Sequence, residues 1–175
     1  MESHVYLLDA LTTPRGSEPI ALAIGASELK LFELVLRPGP PPAAGSRMEL
    51  GSGPGSSGPV DHVRRRIGYE ELTAAARTQL AETLPRLVLA DPARYLRFFN
   101  EAPAISRRLH VLELLPGIGK KTMQALLDER RRATFTSFAD IEARLHLKNP
   151  ERLIAERIER ELSHADEKYR LFVVP

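Results

Sequence analysis

Leu112-Glu113-Leu114-Leu115-Pro116-Gly117-Ile118-Gly119-Lys120-Lys121-Thr122-Met123-Gln124-Ala125-Leu126-Leu127 is the stretch that decides how the chain folds. It predicts an amphipathic helix over about 105–115 that ends at Leu115, where Pro116-Gly117 stops it. Ile118 is apolar between two glycines, as a plug between two helices would be. Gly119 leads directly into a second helix that ends near Arg130-Arg131-Arg132. Glycine lets a backbone take positive φ and lets a ligand come close. A helix start leaves N–H groups unpaired, with the positive end of the helix dipole behind them. Together these make a seat for a phosphate, and Lys120 and Lys121 place two cations beside it.

The stretch resembles the helix-hairpin-helix family in its apolar-x-x-Leu-Pro-Gly-Ile-Gly core and in the Ala125-Leu126 that follows. Phe135-Thr136-Ser137-Phe138-Ala139-Asp140-Ile141 matches a segment that commonly follows such hairpins. Members bind nucleic-acid backbones largely without regard to sequence. The resemblance implies that Gly117, Ile118 and Gly119 form the hairpin while Lys120 and Lys121 flank the phosphate. Local charge agrees. Residues 104–135 carry seven cations (Arg107, Arg108, Lys120, Lys121, Arg130, Arg131, Arg132) against Glu113, Asp128 and Glu129, a surplus of four, whereas the whole chain carries only +2. Arg107 and Arg108 therefore join the candidate site. A shift of thirty residues lays Leu115 on Leu145, Gly119 on Asn149 and Ala125 on Ala155. This second copy, over 139–162, lacks both glycines and puts Pro150, which has no N–H, at its helix start. It reads as a structural partner without a phosphate seat.

Toward the N-terminus the pattern changes. Val5-Tyr6-Leu7-Leu8 and Ile20-Ala21-Leu22-Ala23-Ile24 are short apolar runs separated by turn residues, which predict strands. The run over 29–36 is ambiguous. Residues 38–59 hold six Pro and six Gly and predict a loop, with Ser46-Arg47-Met48-Glu49-Leu50 as a possible short strand inside it. Arg64-Arg65-Arg66 reads equally as a phosphate contact or as a solvated loop. Helices are predicted over about 69–80, after Asp91-Pro92, and after Asn149-Pro150 with an Ile154, Ile158, Leu162 stripe. Tyr95, Leu96, Phe98 and Phe99 read as core. Tyr169 to Val174 predicts a strand that packs back on the N-terminal ones.

The 175 residues include no cysteine, which excludes disulfides, thiolate metal sites and cysteine nucleophiles. No signal-like N-terminus and no membrane-length apolar run appear, so a cytoplasmic protein without membrane contact is expected. The five histidines are scattered, and neither a metal site, a cofactor nor a catalytic group is expected. Two rivals stand beside nucleic-acid binding. Some DNA glycosylase-lyases place a Schiff-base lysine where Lys121 stands, and Asp140 follows it by nineteen residues, although its Phe138-Ala139-Asp140-Ile141 setting reads as a helix start. A protein-interaction adaptor would use the hairpin for packing alone.

Over nearly its full length the chain also resembles an uncharacterised archaeal family whose members are described as RNA-binding without that function being established. Tyr69-Glu70-Glu71-Leu72-Thr73, Phe98-Phe99-Asn100, the run from Arg108 through Leu109 and His110 to Lys121, and Glu167-Lys168-Tyr169-Arg170-Leu171-Phe172-Val173 carry this. The 51–59 stretch departs from that family. The resemblance implies an α+β protein: an OB-like barrel over 1–60, closed by a C-terminal strand over 168–174, and a helical domain over 61–165 with a helix-hairpin-helix at 105–132. It also implies RNA over DNA, with the ribosome or ribosomal RNA as target, because the family's genes tend to lie among those for ribosomal proteins and ribosomal-RNA modification.

Overall fold

The structure is a computed structural model that describes residues 1–51 and 55–175. It is mixed α and β. It forms two compact units, Met1–Thr83 with Arg160–Pro175, and Leu84–Glu159.

The first unit is built on a five-stranded sheet: β1 (His4–Leu11), β2 (Ile20–Gly25), β3 (Leu31–Leu36), β4 (Arg47–Glu49) and β5 (Val60–Ile67). The order is β4-β1-β2-β3-β5, with every pair antiparallel. The first four strands follow a Greek-key order, 4-1-2-3. All six residues of β2 are buried, because its Ile-Ala-Leu-Ala-Ile run sits at the centre of the sheet and is covered on both faces. Val5, Leu7, Ala21, Ala23, Leu34, Leu36, Met48 and Val60 form one core cluster. Tyr6, Leu8, Leu22 and Ile24 are buried as well, as strand alternation requires of a two-sided sheet.

The sheet decides four expectations. The ambiguous third run is a strand, and it begins at Leu31. Arg64, Arg65 and Arg66 lie in a strand rather than a loop, so a domain boundary after residue 60 would cut the sheet. That strand escapes a strand pattern because it is an edge: Asp61 to Arg66 are all exposed and only Val60 and Ile67 are buried. Third, the possible short strand within residues 46–50 forms, as β4, inside the expected 38–59 loop, of which residues 52–54 lie outside the described ones.

The fourth concerns the tail, which forms no strand, so the sheet stays open with β4 and β5 as its edges. The reason is Glu161, fully buried on the last helix. Its carboxylate accepts the N–H groups of Leu171 (2.7 Å), Phe172 (3.1 Å) and Val173 (3.0 Å). Donors that would have faced a neighbouring strand thus converge on one side chain. The tail still joins this unit, since the Val174 N–H donates to the Glu28 carbonyl at 3.3 Å.

The helices are α1 (Ala74–Ala90), α2 (Pro92–Glu101), α3 (Lys120–Arg132), α4 (Phe138–Leu145) and α5 (Pro150–Ser163). The helix expected from Tyr69 starts five residues late. Tyr69–Glu71 is a 3-10 turn, and Thr73 then caps α1, its hydroxyl accepting from Ala76 N–H at 3.0 Å and donating to Asp9 at 2.6 Å. In the second unit Leu84, Leu87, Val88, Tyr95, Leu96 and Phe99 are buried together with Leu112, Leu115, Leu126, Ile141, Ile154 and Ile158. Among the described residues no helix is long and apolar enough to cross a membrane.

Candidate nucleic-acid interface

The segment before the candidate seat is not the α-helix predicted over 105–115. Residues 105–109 form a tight turn, in which the N–H groups of Ile105 (2.9 Å) and Ser106 (3.0 Å) donate to the Leu109 carbonyl. The Ser106 hydroxyl accepts the N–H groups of Arg108 and Leu109, both at 3.2 Å. A serine that binds its own backbone in this way competes with helix formation. Ala104 and His110 bridge the base of the turn. Only Val111–Leu114 is helical, as a single 3-10 turn.

That short turn is strongly capped. The buried His110 accepts Leu112 N–H at its Nδ1 (3.0 Å), which places the ring proton on Nε2. Glu113 reaches back to accept His110 N–H at 2.7 Å, closing a capping box. The Glu113 carboxylate also pairs with Lys120 at 2.9 Å, and the Lys120 ammonium donates to the Arg108 carbonyl. The Lys120 ammonium, then the His110 N–H, hold the Glu113 carboxyl below its ordinary range. Burial, then the charge of Arg130, pushes the His110 imidazole pKa below its ordinary value, so it is neutral at pH 7.

The 115–119 connection follows. Leu115 and Ile118 are buried, so Ile118 takes the plugging place its apolar character predicts. Gly117 has φ +79°, a region that strains any residue with a Cβ. Gly119 is extended, at φ −93° and ψ −171°, and serves as the N-cap of α3 without supplying a side chain. A Cβ at Gly119 would meet nothing within 4 Å. Neither its backbone nor internal packing demands glycine. The first bond within α3 runs from Met123 N–H to the Gly119 carbonyl at 2.9 Å, so the preceding N–H groups have no partner inside the helix.

The sequence-predicted cations fare unequally. Arg107 and Arg108 are exposed on the 105–109 turn, which the Lys120 side chain ties to the start of α3. Lys121 is exposed on the first turn of α3. Arg130 is inward instead, donating to the carbonyls of Ala102 (2.9 Å) and Phe99 (3.3 Å) at the end of α2. Arg131 and Arg132 pair within α3 with Asp128 and Glu129. The β5 arginines belong to the other unit and are engaged there. Glu33 pairs with Arg64 (3.5 Å) and Arg65 (3.0 Å), Glu71 with Arg65 (2.6 Å), and Arg66 donates to the Val174 carbonyl at 3.3 Å. Asp140 accepts Thr136 N–H at 3.1 Å and pairs with Arg144 at 3.2 Å, the duties of a residue at the start of α4.

The family model described as "Protein of unknown function (DUF655)" matches residues 2–174. The chain belongs to this family. It is 42% identical over 176 residues to the uncharacterized protein MJ0038 of Methanocaldococcus jannaschii, covering 98% of this chain and 80% of that one. The crystal structure of Af1531 from Archaeoglobus fulgidus is similar across the whole length, with a TM-score of 0.88 at 36% identity, covering 99% of this chain and all of the other. The relatives are thus archaeal.

Sequence reasoning missed Glu113 and His110 as members of the site. A signal was present, since His110-Val111-Leu112-Glu113 carries the cap-x-x-Glu spacing of a capping box. Histidine is an unusual cap, which hid it.

Proposed function

We propose that the chain is a non-catalytic nucleic-acid-binding protein that grips backbone phosphates at the start of α3. The connection is read as a helix-hairpin-helix whose first helix is cut down to the Val111–Leu114 turn. The carrying observation is Gly119. An N-cap of Ser, Asp or Asn would stabilise α3, and open space is available for one, yet the position bears no side chain. The uncapped N–H groups stay free to meet an anion from outside. Arg107, Arg108 and Lys121 supply exposed positive charge on the same two segments.

RNA is the proposed nucleic acid, and ribosomal RNA the proposed target class, on the strength of the resemblance to an uncharacterised archaeal family described as RNA-binding. The sheet is read as OB-like. Five antiparallel strands in a partly open Greek key support this. One observation favours the adaptor as second reading: β5 is an eight-residue edge strand with Val63 exposed on it.

The test is a titration against single-stranded RNA, duplex RNA and duplex DNA at low and moderate salt. Phosphate contact makes log affinity fall linearly with log salt, by about 0.7 per contact on a single strand. RNA should bind more tightly than DNA. Absence of binding to all three at low salt removes this reading and leaves the adaptor.

A further inference from the structure

We infer that Glu113 and Lys120 form a strut that positions the 105–109 turn against the start of α3, so that Arg107, Arg108 and Lys121, and not Lys120, contact the phosphates. This rests on the nucleic-acid reading above and divides its residues into gripping and positioning ones.

The geometry carries it. The Lys120 ammonium has three donors. One goes to the Arg108 carbonyl and another to Glu113, at 2.9 Å to one carboxylate oxygen and 3.0 Å to the other. The Glu113 side chain is only 10% exposed, and it also accepts His110 N–H. One carboxylate therefore joins the base of the turn, the 3-10 turn and the first residue of α3. Lys120 spends its charge on Glu113 and its direction on the turn. Arg107, Arg108 and Lys121 are exposed and have no carboxylate within ion-pair distance among the described residues.

Simple electrostatics and the strut demand opposite signs for one variant. Glu113→Gln deletes a negative charge beside a phosphate site, which by attraction alone tightens RNA binding. A strut predicts weakening, because the two arginines lose their fixed place. Glutamine keeps an acceptor for His110 N–H, so the fold should survive, and a thermal melt checks this. The experiment measures the full chain with a single-stranded RNA oligonucleotide across salt, together with amide hydrogen exchange at Ile105 and Ser106.

The expected result is affinity reduced by roughly two- to fivefold, the scale of a partly exposed ion pair, with an unchanged salt slope and faster exchange at both amides. Lys120→Met should behave alike, and the double variant should be no worse than either single one. Tighter binding by Glu113→Gln, or a slope lowered by about 0.7 in Lys120→Met, overturns the strut. So does unchanged exchange at Ile105 and Ser106, which needs no ligand. Wild-type protein that binds no RNA sinks the nucleic-acid reading instead, while exchange still reads the strut.

Discussion

Two connections in the second unit share a thirty-residue offset and differ in what they leave open. At 115–119 the backbone turns on Gly117, at φ +79°, and α3 begins on the bare Gly119. At 145–149 the turn is made by His146 (φ 53°) and Asn149 (φ 49°), and α5 begins on the buried Pro150. Histidine and asparagine tolerate the left-handed region better than most residues. Proline removes the first N–H that a ligand could use. One connection leaves its helix start bare, and the other closes it with a buried proline. The lesson is that a helix start becomes a candidate site through what its sequence withholds.

The largest expected effect breaks that difference directly. Gly119→Asp places a carboxylate where a phosphate is proposed to sit, and it offers the α3 N–H groups an internal acceptor. RNA affinity should fall by well over tenfold, the minimum for replacing a charge-assisted contact with repulsion. Stability should hold or rise by a few tenths of a kcal/mol, because Asp is a better N-cap than Gly and its Cβ meets nothing. Titration and thermal unfolding on one sample read both. Loss of affinity together with loss of stability would mean that Gly119 is structural, as the residues of the second connection are.

Next in size is Gly117→Ala, which should cost about 1 kcal/mol through backbone strain at positive φ, read as a lower denaturation midpoint. The reverse change in the second connection, Asn149→Gly, relieves positive-φ strain at φ 49° and should leave stability within about 0.5 kcal/mol. Equal losses at both positions would erase the contrast between the connections. Smaller again is Lys121→Ala. It should leave the melting temperature unchanged and lower the salt slope of RNA binding by about 0.7, one phosphate contact.

How much of this was legible varies with the type of signal. Leu115 to Lys121 announced the connection and the start of α3 because glycine, proline and an apolar plug each have a steric meaning at fixed spacing. Asp91-Pro92 and Asn149-Pro150 placed α2 and α5 for the same reason. The β5 strand was illegible. Its six exposed residues, three of them arginine, carry no alternation, since an edge strand owes its place to pairing with β3 and not to burial. The tail was misread because its Leu171-Phe172-Val173 composition is that of a strand, while a carboxylate ten to twelve residues earlier took its N–H groups. The candidate site was half legible. Gly117 and Gly119 make the turn and the N-cap and Lys121 lies in the first turn of α3, but the pairing of Lys120 and the inward turn of Arg130 depend on partners that spacing along the chain does not reveal.

The smallest expected effect separates the two connections by pH. The turn before 115–119 hangs on an imidazole, whereas α4, which leads into 145–149, is capped by the Ser137 hydroxyl, accepting Asp140 N–H at 2.9 Å. A hydroxyl does not titrate in this range. His110 has a folded pKa below its ordinary value of 6.5, because burial and then Arg130 disfavour the imidazolium. The unfolded chain therefore binds the proton first as pH falls. The stability His110 contributes is complete above about pH 6.5 and is lost as pH falls through the lower folded value, where Nδ1 becomes a donor and can no longer accept Leu112 N–H. His110→Asn keeps an oxygen acceptor at the cap and has no such titration. The wild type should lose stability relative to this variant between pH 7.5 and pH 5, by chemical denaturation at each pH. A constant difference across that range would mean that the cap does not depend on the neutral ring.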